Sequence, residues 1–347
     1  MSVHEKYIKR CIQIAKNALG SARPNPMVGS VIVHKQAIIG EGYTSAYGGN
    51  HAEVNAINAV KDKSLLKEAT LYVTLEPCSH FGKTPPCSDL IIKHNIPNVV
   101  IGTIDTHSKV AGKGIEKLKS AGCKVTVGVL ENECQKHHRR FFTFHNKKRP
   151  YVILKWAQTL DGFIAPEKTR ERAPVWITNP YSRQLVHKWR AEEQAILVGN
   201  KTVIADNPKL TIRNWYGDNP IRIIIDLSNK TPKGSAILDE AAKTIVITTN
   251  ANGKQNSNTL RYETMNSKTH IVEEVCNILF KHEIQSVIIE GGSYTIQSFI
   301  DANLWDEARV FIGSNNFKSG VKAPILNANL ISEEKIMEDT LRIYKND

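Results

Sequence analysis

Three residues near the start of the chain constrain its fold more than any periodicity does. His51 is followed by Cys78 and then by Cys87, each in a different local setting. One imidazole and two thiolates suit a zinc ion, and they leave its fourth tetrahedral position for water or substrate. That is the arrangement of a catalytic rather than a closed structural site. The chain must therefore bring three separated segments to one point. The other cysteines, Cys11, Cys123, Cys134 and Cys276, read as buried or incidental thiols.

The local patterns supply suitable elements. Residues 52–60 read as a helix that His51 opens. Residues 70–75 read as a β-branched strand ending just before Pro77-Cys78, and Cys87 begins a helix over 88–94. Glu53 lies close to His51 near a helix start, placed to take a proton from water and pass it to a ring nitrogen and a leaving amine. Zinc would lower the pKa of that water to about 7. The order H-x-E…P-C…C follows the zinc nucleobase deaminase signature. The departure is the spacing of the cysteines, because residues 79–86 replace the usual pair. With Gly82 and Pro85-Pro86 this segment is a shaped loop, and it sets His80 and Lys83 beside the metal as donors for an anionic or carbonyl-bearing substrate.

The remaining pattern predicts an α/β protein. Residues 3–19, 114–121 and 131–146 read as helices, and 28–33, 37–43, 98–104 and 124–129 as strands. A second alternation places strands at 151–156, 195–199, 221–226, 244–248, 286–290 and 308–312, and helices at 181–191, 271–282 and 295–303. Residues 250–268 read as loop and 336–344 as an edge strand. A length of 347 residues suits two domains, and Pro150 after a basic helix puts their boundary near 146–150. No apolar run reaches the roughly 20 residues that span a bilayer. Residues 1–6 are charged and lack the apolar core of a signal peptide. The expectation is a cytoplasmic protein with no membrane partner and with reduced thiols.

Forty-six Lys+Arg against thirty-four Asp+Glu leave a net charge of +12. The run Lys136-His137-His138-Arg139-Arg140 reads as a solvated helix face leading into a linker rather than a nucleic-acid patch. The second half has no GxGxxG and no Walker loop. It offers Lys155 through Gly162 at a strand end, a charged turn from Asp206 to Arg213, and Glu290-Gly291-Gly292-Ser293 between a strand and a helix. Glycines in that position let main-chain amides approach a phosphate. From the residues by themselves, the chemistry of this half stays open.

With Pro24-Asn25-Pro26-Met27-Val28-Gly29 and His51-Ala52-Glu53 upstream, the segment from Pro77 to Cys87 resembles the deaminase half of the bifunctional riboflavin-biosynthesis deaminase/reductases. The expanded cysteine spacing is that family's mark and separates the chain from cytidine and tRNA adenosine deaminases. The segments singled out in the second half resemble the family's reductase half, in the expected order. The resemblance implies a cytidine-deaminase-like domain over 1–146 and a dihydrofolate-reductase-like domain over 150–347. It implies zinc-dependent hydrolytic deamination of a diaminopyrimidinone carrying a ribosylamino phosphate, then NADPH-dependent reduction of the ribosyl to a ribityl group.

By matching motifs, the family's zinc ligands fall on His51, Cys78 and Cys87, and its catalytic residues on Glu53 and Lys155. Asn25, His80 and Lys83 would bind the pyrimidine and ribose phosphate, and Gly112 and Gly114 match a glycine-rich turn. Ala157, Thr202, Asp206, Gly292, Ser293, Tyr294, Thr295, Ile296, Gln297 and Ser298 would contact NADPH. Arg190, Leu210, Arg213 and Glu290 would contact the reductase substrate. Trp176-Ile177-Thr178 also matches, whereas His107, Pro174 and Val175 depart from the family's residues and the loop 163–173 is longer. Lys83, Lys155, Arg190 and Arg213 would serve phosphate-bearing ligands. The implied partner is a small phosphorylated pyrimidine and not nucleic acid, with a homo-oligomer left open. The rival readings are a tRNA deaminase with an accessory binding domain, and a structural zinc domain with a fourth protein ligand.

Overall fold

The computed structural model describes residues 2–81, 85–106, 111–167, 175–266 and 269–346. Two compact units divide between Lys148 and Arg149. No helix among the described residues is long and apolar enough to cross a membrane.

The first unit is built on β1 (Gly29–His34), β2 (Ala37–Tyr43), β3 (Thr70–Leu75), β4 (Asn98–Thr103) and β5 (Lys124–Val127). Their order in the sheet is β2-β1-β3-β4-β5. β1 runs antiparallel to β2 and β3, whereas β3, β4 and β5 are parallel. Parallel neighbours need crossover connections, and α3 (Cys87–Lys93) and α4 (Lys113–Ser120) provide them. Both sheet faces are covered. α1 (Val3–Ala15) buries Tyr7, Ile8 and Cys11 against Val31, Tyr72 and Val100. On the other face α2 (Ala52–Ala59), α3 and α4 bury Ala56, Ile57, Ile91 and Leu118 against Ile32, Leu71, Val99 and Ile101. Gly42 lets α2 lie directly on β2: a Cβ there would sit 2.3 Å from the Ala56 amide nitrogen and 2.4 Å from the Ala52 carbonyl. This close approach fixes the start of α2, where His51 stands.

Two sequence expectations change here. The helix expected over 3–19 ends at Ala15 and tightens into a 3-10 turn over Lys16–Ala18. The helix expected over 131–146 is two helices, α5 (Glu131–His137) and α6 (Arg139–Lys147), broken at His138 (φ −88°, ψ 11°). No proline or glycine marks the break. It turns two imidazoles inward, with His137 Nε2 2.7 Å from the Met27 carbonyl oxygen and His138 Nε2 3.1 Å from Thr74 Oγ1. Burial pushes the His137 pKa down to about 4 and that of His138 well below its usual value. The basic run is therefore not one continuous charged face.

The second unit is a nine-stranded sheet among the described residues, ordered β11-β10-β9-β8-β12-β6-β13-β16-β15. Its strands are β6 (Tyr151–Gln158), β8 (Ala195–Gly199), β9 (Ile221–Ile225), β10 (Thr244–Thr248), β11 (Leu260–Thr264), β12 (Ser286–Glu290), β13 (Glu307–Ile312), β15 (Asn329–Ile336) and β16 (Asp339–Lys345). β7 (Phe163–Pro166) and β14 (Gly320–Lys322) form a separate ribbon. The strands from β11 to β13 are mutually parallel, β16 pairs antiparallel with β13, and β15 pairs antiparallel with β16. α7 (Pro180–Glu192), α8 (Asn200–Asp206), α9 (Ile271–Lys281) and α10 (Ser293–Asp301) complete the unit. Two apolar clusters fill the layers on the sheet's faces, one around Leu154, Leu197 and Ile289 and one around Ile153, Ile196 and Ile288.

Residues 250–268 are not all loop, because β11 pairs along β10. Its polar Arg261 and Glu263 belong to a sheet edge that is only partly covered, so the buried-strand pattern is missing. Residues 336–344 are not one edge strand. The chain turns at Met337 (φ +55°), β16 lies inside the sheet, and the exposed β15 is the edge.

All five tryptophans, at 156, 176, 189, 215 and 305, lie in the second unit. Their fluorescence reports that unit, while far-ultraviolet circular dichroism reports both. Unfolded imidazoles titrate near 6.5. Below that pH the unfolded chain binds protons that folded His137 and His138 exclude, so first-unit stability should fall as pH drops from about 6.5 toward 4. Thermal unfolding should show a dichroism transition, absent from fluorescence, that moves to lower temperature on acidification. His137→Gln should flatten that dependence. A first-unit transition insensitive to pH in this window would contradict buried neutral imidazoles.

Candidate active sites

In the first unit, three segment ends converge. His51 is the extended residue before α2, Cys87 is the first residue of α3, and Cys78 follows the end of β3 through Glu76-Pro77. Their ligand atoms all lie within 4.8 Å of one another. His51 Nδ1 is 3.6 Å from Cys78 Sγ and 3.3 Å from Cys87 Sγ. A tetrahedron with bonds of about 2.1 and 2.3 Å has edges of roughly 3.5–3.8 Å, so these atoms already occupy a zinc-sized shell. The loop between the cysteines is closed by two amides. Ser88 N–H donates to the Cys78 carbonyl at 3.1 Å, and Cys87 N–H donates to Cys78 Sγ at 3.3 Å.

The charges are set by the same contacts. The Cys87 thiol, aided by His51 and the Cys87 amide, holds the Cys78 thiol below its ordinary range against the effect of burial. Cys87 is raised in turn by Cys78. Glu53 is 4% exposed, and burial together with the Cys78 charge pushes its carboxyl up to about 7. Asn25 is partly exposed on the turn into β1, a turn that His137 holds through Met27. His80 is exposed beyond Cys78. Lys83, like His107 and Pro174, lies outside the described residues.

Two features of this unit carry no sequence motif of their own. One is the buried imidazole pair of α5 and α6. The other is Glu76, 4% exposed, whose carboxylate accepts hydrogen bonds from the amides of Asp105, Gly112, Gly114 and Ile115. It accounts for the placing of Gly112 and Gly114.

In the second unit the candidate groups meet at the carboxyl ends of parallel strands, the usual ligand edge of such sheets. Register places Lys155 of β6 beside Glu290 of β12. Lys155 Nζ is 3.7 Å from Glu290 Oε1, and Arg190 of α7 donates from Nη2 to Glu290 Oε2 at 2.9 Å. Arg190 also donates to the Thr211 carbonyl at 3.3 Å, and the Arg213 amide donates to His187 Nδ1 at 3.4 Å. Burial raises the Glu290 carboxyl, but Arg190 and Lys155 outweigh it and hold the carboxyl below its ordinary range. Burial lowers Lys155 despite Glu290. Burial and the two arginines push His187 down to about 4. His187 escaped the sequence reading, although it shares a helix face with Arg190 three residues on. Arg190 Nε and Glu290 Oε1 are buried without a hydrogen-bond partner, which fits a pocket that a polar ligand completes.

Beside this cluster is a tight strand-to-helix turn. Gly291 (φ +100°) turns the chain from β12 into α10, and Gly292 N–H donates to Thr202 Oγ1 at 2.9 Å. A Cβ on Gly291 would sit 2.7 Å from Thr202 Oγ1. No side chain of the cap residue closes the start of α10, a position where helices can receive a phosphate. Ser293 and Thr295 are partly exposed there and Tyr294 is 76% exposed. Ala157 on β6 is partly exposed, and burial raises the Asp206 carboxyl at the end of α8. The stretch does not act uniformly. The Ile296 side chain is fully buried in the core, the Ser298 hydroxyl donates to the Tyr294 carbonyl, and Gln297 bonds Asp301 and the Ile325 amide. Leu210 likewise sends its side chain into the core from a left-handed backbone (φ +54°). Ile296 and Leu210 can therefore offer a ligand main chain, not side chain. Trp176 is exposed, with the Arg183 guanidinium 4.7 Å from its ring centre.

Residues 1–103 match the cytidine and deoxycytidylate deaminase zinc-binding region, and residues 150–316 match the RibD C-terminal domain. With the ligand set above, these matches define a zinc-type deaminase joined to a reductase of dihydrofolate-reductase-like fold. The riboflavin biosynthesis protein RibD of Aquifex aeolicus is 40% identical over 355 residues, covering 99% of this chain and 98% of that protein. RibD of Bacillus amyloliquefaciens is 39% identical, covering 89% of this chain and 84% of that protein. A solved diaminohydroxyphosphoribosylaminopyrimidine deaminase/5-amino-6-(5-phosphoribosylamino)uracil reductase from Thermotoga maritima is 37% identical, with a TM-score of 0.90 and 99% of both chains covered. The chain belongs to the RibD family, the bifunctional deaminase/reductases of riboflavin biosynthesis, which pair a zinc-binding deaminase with an NADPH-dependent reductase. The tRNA deaminase alternative has no support from these matches.

The thiol asymmetry is testable. In metal-free protein at about pH 6, an alkylating reagent should modify Cys78 first, and stoichiometric zinc should suppress the reaction. Earlier modification of Cys87 or Cys123, or no protection by zinc, would contradict the site geometry.

Proposed function

We propose that the first unit hydrolytically deaminates a diaminopyrimidinone carrying a ribosylamino phosphate, and that the second reduces the ribosyl group of the product to ribityl. The observation that carries this reading is the buried Glu53 carboxyl beside a preformed His51, Cys78 and Cys87 ligand set. When bound, zinc supplies the Lewis acidity that makes water a nucleophile at neutral pH. Glu53 takes the proton that this water releases on attacking the amine-bearing ring carbon. It passes that proton to the ring nitrogen, then takes the second from the hydroxyl left on the carbon and gives it to the amine, so the C–N bond breaks, the carbon becomes a carbonyl and ammonia departs. A carboxyl whose pKa is raised to about 7 can act in both directions near neutrality. Asn25, His80 and Lys83 are assigned to the pyrimidine and its ribose phosphate.

In the second unit, NADPH supplies the hydride that reduces the sugar C1′. The start of α10, with Thr202 and the turn at Gly292, would hold its phosphate groups, and Ala157, Asp206 and the exposed Ser293, Tyr294 and Thr295 would line its path. Lys155, lowered by burial, gives a proton to the sugar ring oxygen as the ring opens. Glu290 holds Lys155, and Arg190 and Arg213 with the main chain at Leu210 hold the substrate. The partner in both units is a small phosphorylated pyrimidine rather than nucleic acid. The enzyme is cytoplasmic, and a homo-oligomer is compatible with this reading.

Ammonia release and NADPH oxidation, assayed separately, test these roles. Glu53→Gln should keep zinc and lose deaminase activity by about 100-fold or more, with reduction unchanged. Lys155→Met should lower the reductase kcat by a similar factor and leave ammonia release intact. Near-normal ammonia release by the first variant, or equal loss in both assays by the second, would overturn the assignments.

A further inference from the structure

Helix α4 lacks its own N-terminal cap. The residue before it, Gly112, adopts a left-handed conformation (φ +79°) and has no side chain to offer. Helices usually satisfy their first free amides from the cap residue. Here Glu76, at the end of β3, does so from a different element. Its Oε1 accepts from Gly114 N–H at 2.9 Å and Ile115 N–H at 3.3 Å, and its Oε2 accepts from Gly112 N–H at 3.0 Å and Asp105 N–H at 3.3 Å. A buried carboxylate with both oxygens engaged, at the positive end of a helix, forms strong charge-assisted bonds.

The consequence is for the metal ligand that follows. Glu76 is tied by its carboxylate to the start of α4 and by its own amide, at 3.0 Å, to the Thr103 carbonyl of β4. Pro77 then has a fixed φ, and its carbonyl packs so tightly on Gly114 that a Cβ there would come within 2.1 Å. The next residue is Cys78. We propose that Glu76 is a positioning residue for Cys78, transmitting the placement of α4 and β4 to the thiolate through Pro77. This rests on the assignment of His51, Cys78 and Cys87 as zinc ligands. It gives the glycine-rich turn a role at the metal although none of its residues is a ligand.

The test uses the full-length, zinc-loaded protein. Glu76→Gln keeps the shape but replaces one acceptor oxygen with a donor that faces backbone amides. Zinc transfer to a chromophoric chelator should be about 10-fold or more faster, in line with the loss of groups that hold metal ligands. The thiolate-to-cobalt bands of the cobalt-substituted protein should shift, and the deaminase kcat should fall with KM little changed. The reductase rate, from the other unit, should be unchanged and shows that the chain is intact. Gly112→Ala strains the left-handed turn without altering Glu76 and should accelerate zinc transfer by a smaller factor, so it decides the matter if Glu76→Gln does not fold. Lower thermal stability with unchanged zinc transfer and cobalt bands would overturn the proposal, leaving Glu76 as a helix cap. Failure of the unaltered protein to bind zinc would instead overturn the ligand assignment.

Discussion

The first unit depends on the crowding of one imidazole nitrogen and two sulfurs within 4.8 Å. An imidazole and two sulfurs that close together suit a divalent cation. The imidazole of His51 lies against both sulfurs. When bound, such an ion would be held by all three. The fold around the cluster makes the crowding unavoidable. Gly42 lets α2 lie on β2, β3 delivers Cys78 beside the crossover to α3, and that helix begins at Cys87. Glu53 inherits its perturbed carboxyl from the same burial.

The second unit reaches its chemistry without a motif of that kind. Its site follows from strand register: β6 and β12 are parallel neighbours, so Lys155 and Glu290 emerge side by side at the ligand edge. Arg190 joins them from α7. Burying such charges costs desolvation energy that their attraction barely repays, so the cluster is weak evidence for stability. Its unmet polar atoms point instead to a ligand. The turn through Gly291 then brings the uncapped start of α10 alongside.

Much of this was legible in the chain. Strands with β-branched runs, such as Thr70–Leu75 and Thr244–Thr248, fall where the pattern put them. Elements at the margin did not. β11 and β15 are edges with polar, exposed residues, so burial could not write a period into them. His137 and His138 looked like part of a charged face because composition does not reveal which way a helix turns. In the deaminase unit the cluster of His51, Cys78 and Cys87 is readable because metal chemistry restricts residue type. Glu76 and His187 were hidden because each acts on main chain that is distant in sequence. For Leu210 and Ile296 the motif match was positional, and it could not say that their side chains serve the core.

The central claim is that one chain carries two chemically separate sites, and only one of them needs metal. The direct test is to strip zinc with a chelator and follow both half-reactions, supplying the deaminated intermediate for the second. The account predicts that ammonia release stops and returns on addition of stoichiometric zinc, while NADPH oxidation proceeds at its original rate throughout. Continued ammonia release from zinc-free protein, or a parallel loss of NADPH oxidation, would contradict it.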